Sequence, residues 1–177
     1  MTIEQLLTGG HPNSLGNTIK VAEMIVAGTR TAAELFGCYE SQDAVVRLRV
    51  SSAFKRIAKA SPELAIPFVD GLLGEVQQLN QPSAQWSTAQ IMHTLKNKLT
   101  AAQYKKAKQV LKDNLTKSQD WIVLNITMQT LADWAVADAD KELTNWLLPK
   151  LNKLKSDARR SVAAKANKLE VKLGRMQ

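Results

Sequence analysis

The segment that decides the fold is Val46–Ile57, which reads VRLRVSSAFKRI. Its apolar residues Val46, Val50, Ala53 and Ile57 fall at i, i+4, i+7 and i+11, which is the spacing of one face of an α-helix. The same spacing recurs three times along the chain, in the sets Ala84/Thr88/Ile91/Leu95, Val123/Thr127/Thr130/Trp134 and Val162/Ala166/Leu169/Leu173. The first members of the four sets are 38, 39 and 39 residues apart, and so are the last members. This regularity predicts a structural repeat of about 38 residues.

A second apolar series precedes each of these segments and is in phase with them. Its members are 38, 38 and 37 residues apart: Leu35, Leu73, Leu111 and Leu148. Each repeat is therefore predicted to be a pair of helices. We expect one repeat domain over residues 1–177, with kinks at Pro67 and Pro149 because proline lacks the N–H that a helix interior needs. The predicted elements are an N-terminal helix at 17–28 and pairs at about 30–60, 62–98, 100–136 and 139–174.

Two stretches favour a β-strand when they are taken alone. Val45–Val50 nearly alternates in polarity, and Trp121–Leu124 is bulky and β-branched. Each stretch continues in phase into a helical pattern, and this longer pattern outweighs a local propensity worth only about a few tenths of a kcal/mol per residue. The sequence therefore predicts an all-α chain.

The helix pairs resemble HEAT repeats. Val46-Arg47 opens a second helix and is followed by Ala53-Phe54 and Ile57-Ala58. The resemblance spans residues 30–174 and is strong in period, whereas the Val-Arg pair is replaced later by Ala84-Gln85, Val123-Leu124 and Val162-Ala163. It implies an armadillo/HEAT-like, right-handed α-solenoid of about four helix pairs plus an N-terminal helix. Proteins of this kind are mostly non-catalytic binding scaffolds, and a minority branch consists of DNA glycosylases that act on alkylated bases.

Composition removes several classes of protein. The chain has 177 residues, a net charge of +8 and one cysteine, Cys38. A single cysteine excludes an internal disulfide framework and a multi-cysteine metal cage, so we expect the reducing cytoplasm as the compartment. The first residues lack a basic segment followed by an apolar one, and no run of eighteen apolar residues occurs. We therefore expect no secretion signal and no membrane partner.

The positive charge is concentrated in the second half of the chain. Residues 1–95 hold 7 basic and 8 acidic residues, whereas residues 96–177 hold 17 and 8. Two lysine stripes follow the same helical spacing and predict contacts with phosphates or with an acidic partner, unless they are simply solvated faces: Lys105, Lys108 and Lys112, and Lys165, Lys168 and Lys172. The second half has 14 lysines and 3 arginines, which disfavours a base-reading surface.

The remaining candidate residues belong to the second helices. We predict partner contacts from Arg47, Arg49, Trp86, His93 and Trp121, and we interpret Trp134 and Trp146 as packing residues. No catalytic residue, metal ligand or cofactor is predicted, because the two histidines are far apart in sequence and Cys38 has no recognisable base partner.

The predicted function is that of a non-enzymatic scaffold or adaptor, which binds a protein partner on the concave face formed by the second helices. The alternative is nucleic-acid binding through the basic C-terminal half, with a relation to the HEAT-like DNA repair glycosylases. The sequence leaves the oligomeric state open.

Overall fold

The computed structural model describes residues 1–175, and over these residues it contains eleven α-helices, four short 3-10 helices and no strand. None of the described helices is both long enough and apolar enough to cross a lipid bilayer. The α-helices are α1 (Ile3–Leu7), α2 (Thr18–Val26), α3 (Ala32–Gly37), α4 (Ala44–Ala60), α5 (Val69–Leu72), α6 (Glu75–Gln78), α7 (Pro82–Leu95), α8 (Ala101–Lys117), α9 (Trp121–Ala137), α10 (Lys141–Leu154) and α11 (Arg160–Gly174). The 3-10 helices are Cys38–Glu40, Pro62–Leu64, Ile66–Phe68 and Lys96–Lys98.

The four repeated segments form the helices α4, α7, α9 and α11. Their first residues are 38, 39 and 39 positions apart, since they begin at 44, 82, 121 and 160. The predicted interior positions are at most 1% exposed: Val46, Ala84, Val123 and Val162 in the first column, and Ile57, Leu95, Trp134 and Leu173 in the last. The predicted helical face is therefore confirmed. The two stretches with strand propensity lie inside α4 and α9.

Aspartates define where three of the long helices begin. Asp43 accepts a hydrogen bond from the Val45 N–H, Asp120 accepts from the Ile122 and Val123 N–H groups, and Asp140 accepts from the Leu143 N–H. These carboxylates satisfy N–H groups that have no partner within the helix, which typically contributes about 1 kcal/mol for each cap.

The first helices of the first two pairs are less regular than the second ones. Residues 62–78 form two 3-10 turns and the four-residue helices α5 and α6 instead of one helix, so Pro67 marks an interruption rather than the predicted kink. Pro62 and Pro67 remove backbone donors from this segment, which prevents a continuous α-helical hydrogen-bond ladder. Buried apolar residues hold it in place: Ala65, Val69, Leu72, Leu73 and Val76. In contrast, α10 continues through Pro149.

One member of the predicted first-helix series is wrong. Leu35, Leu73 and Leu111 are buried, whereas Leu148 is half-buried and its neighbour Leu147 is fully buried. The step from Leu111 to the buried position is therefore 36 residues, because α10 presents Leu143, Leu147 and Leu151 to the core at i, i+4 and i+8.

The described chain divides into two compact units, Met1–Tyr104 and the part that begins at Lys105. In the first unit, α4 packs against both α2 and α7, and in the second unit α9 packs against α10 and α11.

The first unit also contains an aromatic cluster whose ring centroids are 5.1 to 6.2 Å apart: Phe36, Tyr39, Phe54 and Phe68. Cys38, which precedes Tyr39 in the sequence, is buried, and this burial raises the pKa of its thiol. The prediction of a single repeat domain over 1–177 stays a prediction.

Gly71 provides a test of how tightly the aromatic cluster is packed. A Cβ atom at this position would lie 2.5 Å from Phe36 Cζ, and the Phe36 ring is held between other aromatic rings. We expect Gly71→Ala to lower the free energy of unfolding in urea by about 1 to 3 kcal/mol through overpacking. The matched control is Gly37→Ala, since a Cβ there meets no atom within 4 Å. A loss no larger than that of the control would show that the cluster yields easily.

Candidate functional site

Arg49 does not lie on a partner-binding surface, and this prediction is wrong. Its side chain is only 1% exposed because the N-terminal segment encloses it. The guanidinium donates four hydrogen bonds to backbone carbonyls: Nη1 to Leu7 (2.5 Å) and Gly9 (2.6 Å), Nη2 to His11 (3.1 Å) and Nε to Ser14 (3.2 Å). Arg49 thus organises the connection between α1 and α2.

The glycine at the end of this connection lies against the same guanidinium. Gly16 has a φ of +49°, and a Cβ atom on it would be 3.0 Å from Arg49 Cζ. Both the left-handed backbone and the close approach require glycine at this position. The segment 8–16 is therefore shaped around Arg49.

Arg47 is half-buried and also serves the structure of the first unit. Its Nε donates to Gln81 Oε1 (2.8 Å) and its Nη1 donates to the Ser41 carbonyl (2.5 Å). Gln81 in turn donates to the Ala44 carbonyl (3.0 Å), so these side chains join the start of α4 to the start of α7. A partner that binds Arg47 would compete with these hydrogen bonds.

The face of α7 carries three polar or aromatic side chains in helical register. Trp86 is half-buried, His93 is exposed, and Gln90 lies between them one turn after Trp86. The Gln90 Oε1 atom is buried and has no hydrogen-bond partner among the described residues. Spacings of four and three residues place the side chains on one face of the helix.

The second unit carries a similar but longer arrangement on α9. Trp121, Asn125, Gln129 and Asp133 follow each other at intervals of four residues, and we call this set the α9 polar stripe. Trp121 is 49% exposed. The Asn125 Oδ1 atom is buried and, like Gln90 Oε1, lacks a hydrogen-bond partner in the described part of the chain.

Three side-chain contacts connect the α9 polar stripe to α11. Asn125 donates to Ser161 Oγ (3.4 Å), Lys165 donates to Gln129 Oε1 (3.0 Å), and Lys172 forms an ion pair with Asp133 (3.0 Å). Two members of the predicted C-terminal lysine stripe are thus directed onto α9. The third member, Lys168, is exposed.

The other lysine stripe lies on α8 and is also partly engaged. Lys105 is exposed, Lys108 forms an ion pair with Asp140 (2.9 Å), and the Lys112 Nζ is 5.0 Å from the centroid of the Trp146 ring. Lys150 approaches the same ring at 4.5 Å. Trp146 is half-buried and packs against these two lysines at the surface.

Asp140 links the lysine stripe to the start of α10. Partial burial opposes ionisation of its carboxyl, but the hydrogen bonds from the Leu143 N–H and from Lys108 keep its pKa below the usual value. The carboxylate therefore caps α10 and holds Lys108 at the same time.

The remaining candidate chemistry is sparse. Over residues 1–175, no three His, Cys, Asp or Glu side chains come together in a way that could hold a metal ion. His11 Nδ1 accepts a hydrogen bond from the Asn13 N–H (3.1 Å) within its own loop.

Sequence reasoning missed Gln90, Asn125 and Lys150 as candidate site residues. A signal was present in each case: an amide side chain follows a tryptophan by four residues in Trp86–Gln90 and Trp121–Asn125, and Lys150 follows Trp146 by the same interval. On a helix this spacing brings two side chains onto one face. The sequence could not show that the two amide oxygens lack a hydrogen-bond partner.

Comparisons with known proteins support the fold directly. No protein-family model matches the sequence, and no curated protein matches it. Among solved structures, a computationally designed armadillo repeat protein made for modular peptide recognition matches with a TM-score of 0.62 and 17% identity, over 97% of this chain and 80% of that chain. A further designed armadillo repeat protein matches with a TM-score of 0.59 and 15% identity over the same shares. The chain therefore has the armadillo/HEAT-like repeat fold, an all-α solenoid.

Proposed function

We propose that this chain is a non-enzymatic protein-interaction scaffold, which binds an extended segment of a partner along the exposed side chains of its second helices. The structural similarity to designed armadillo repeat proteins, one of which was made for peptide recognition, supports protein binding at a coarse level. The side chains of α9 support the more specific proposal.

The observation that carries the proposal is the pair Trp121 and Asn125. An unpaired polar atom that is buried costs about 1 to 3 kcal/mol, so Asn125 Oδ1 is retained at the expense of stability. Rotation of the half-buried Asn125 side chain would bring this oxygen to the surface, where a backbone N–H of a bound peptide can donate to it and remove the cost. The exposed indole of Trp121, one turn earlier, offers a large rigid surface on which the partner's side chain can pack.

The first unit repeats this combination independently. Gln90 Oε1 is another buried acceptor without a partner, and Trp86 precedes it by one helical turn. An extended peptide exposes backbone donors and acceptors at regular intervals, and amide side chains can serve both kinds of group. Each unit thus offers its own aromatic and amide pair.

Protein binding is a better match than nucleic-acid binding for these helices. The segments 121–137 and 160–174 hold only four basic residues against two acidic ones. Of the four, Lys165 is hydrogen-bonded to Gln129 and Lys172 is paired with Asp133. A surface that neutralises a phosphate backbone requires several available cations.

The proposal is tested with peptides selected against the protein itself. Linear twelve-residue peptides would be selected from a displayed library on the wild-type chain and then measured by fluorescence anisotropy. We expect Trp121→Ala to raise the Kd of a selected peptide by at least about tenfold, because tryptophans dominate the binding energy where they anchor a partner. Asn125→Ala is expected to raise the Kd by about threefold or more.

The matched control is Val171→Ala on α11. Val171 is 47% exposed, close to the exposure of Trp121, and lies in the same unit. Its replacement should change the Kd by less than about twofold, as expected for a residue outside the contact. The proposal is contradicted if no peptide is enriched, or if the control weakens binding as much as Trp121→Ala does.

A further inference from the structure

The Lys112, Trp146 and Lys150 side chains form a cluster on α8 and α10 of the second unit. The two ammonium nitrogens lie 5.0 and 4.5 Å from the centroid of one indole ring, so they are at most 9.5 Å apart, the sum of these distances. Lysine side chains are flexible when they are free, and contact with an aromatic face restricts them. The half-buried indole therefore holds two positive charges close together at the surface.

Among residues 1–175, neither charge forms an ion pair; Asp140 interacts electrostatically with Lys112 but forms its ion pair with Lys108. Lys108, Lys155 and Lys172 each form an ion pair with a carboxylate. In the described part of the chain, neither Lys112 nor Lys150 has a carboxylate within 4.0 Å. The ammonium groups are therefore available to an anionic ligand.

The wider surface around the cluster is strongly basic. The segments 105–117 and 141–154 hold eight lysines and two acidic residues, a net charge of +6. The segments 121–137 and 160–174 hold four basic and two acidic residues, a net charge of +2. The positive field of the second unit thus belongs to α8 and α10, which share no residue with the α9 polar stripe.

We propose that the Lys112–Trp146–Lys150 cluster is a binding site for an acidic segment of a partner protein. In an extended peptide, side chains at i and i+2 point to the same side and are about 6.6 to 6.8 Å apart. Two carboxylates at these positions match a pair of ammonium groups that are at most 9.5 Å apart. The site is separate from the surface proposed above and does not depend on it.

A protein partner fits this site better than a nucleic acid does. Residues 105–154 contain no arginine, which is the side chain suited to bidentate phosphate contacts. Binding to single-stranded nucleic acid also relies on aromatic rings that are open to stacking. The Trp146 ring already has ammonium groups against it, so a base would have to displace them.

The test uses a fluorescein-labelled peptide of ten glutamates and, in parallel, a labelled strand of ten thymidine nucleotides at the same physiological salt. We expect the double variant Lys112→Gln/Lys150→Gln to raise the Kd of the peptide by about fivefold. The matched control is Lys117→Gln/Lys141→Gln, which removes the same charge from the same two helices. This control should raise the Kd by less than about twofold.

A second measurement needs no change at the lysines. In protein labelled with ¹⁵N at tryptophan, with signals assigned by single Trp→Phe variants, the peptide should shift the indole N–H signal of Trp146 and leave that of Trp121 in place. The proposal is overturned if the two double variants weaken binding equally, if the Trp146 signal does not move, or if the peptide does not bind. Tighter binding of the oligonucleotide than of the peptide would overturn it in favour of a nucleic-acid site.

Discussion

Replacement of Arg49 by methionine is expected to lower the free energy of unfolding by about 3 to 5 kcal/mol. Methionine keeps a similar length but has no donor, so the Leu7 carbonyl would lose a partner in a buried place and the carbonyls of Gly9, His11 and Ser14 would lose one in partly buried places. The N-terminal segment would also lose the group around which it is shaped. Urea unfolding followed by circular dichroism measures the loss, and limited proteolysis should find new cleavage within residues 8–16.

The control for this experiment is Arg56→Met on the same helix. Arg56 is exposed, so its replacement should change the free energy of unfolding by no more than about 0.5 kcal/mol. A loss below about 1 kcal/mol for Arg49→Met would mean that the buried residues Ile3 and Leu7 hold the N-terminal segment without the guanidinium.

Trp134 should produce an effect of similar size in the second unit. It is 1% exposed and occupies the last column of interior positions, together with Ile57, Leu95 and Leu173. Trp134→Ala removes an entire buried indole and leaves a cavity, which we expect to lower the free energy of unfolding by about 3 to 5 kcal/mol. Urea unfolding again provides the measurement.

The same helix offers the matched control, because Trp121 on α9 is 49% exposed. Trp121→Ala should cost less than about 1 kcal/mol, since little buried area is lost. If the two replacements destabilise the chain equally, then the division of α9 into a core face and an exposed face is wrong. A small effect of Trp121→Ala also ensures that its effect on peptide binding does not arise from unfolding.

The interior of the second helices could be predicted from sequence because helical periodicity is a local property. Positions such as Val46 and Ile57 are eleven residues apart on one helix, and three turns of regular geometry fix their relation. The repeat then supplies the equivalent positions in the other pairs. No long-range information is needed for this part of the fold.

Arg49 shows why the rest could not be predicted. It follows Val46 by three residues and therefore lies beside the apolar face, and a positive charge there suggests an exposed position. Its partners are carbonyls 35 to 42 residues earlier in the chain, and backbone carbonyls leave no trace in the identity of the residues that carry them. The same limit applies to Asn125, because the sequence does not show that its Oδ1 atom lacks a hydrogen-bond partner.

The interrupted segment 62–78 also has a consequence for the order in which the first unit folds. Helix nucleation is unfavourable, and isolated helices shorter than about 12 to 15 residues are marginal in water. The four-residue helices α5 and α6 are far below this length, whereas α4 with 17 residues exceeds it and α7 with 14 lies near its upper end. Residues 62–78 can become ordered only when their buried side chains, such as Val69 and Leu72, find a surface to pack against. We therefore expect α4 and α7 to form first and to provide the surface on which residues 62–78 fold last.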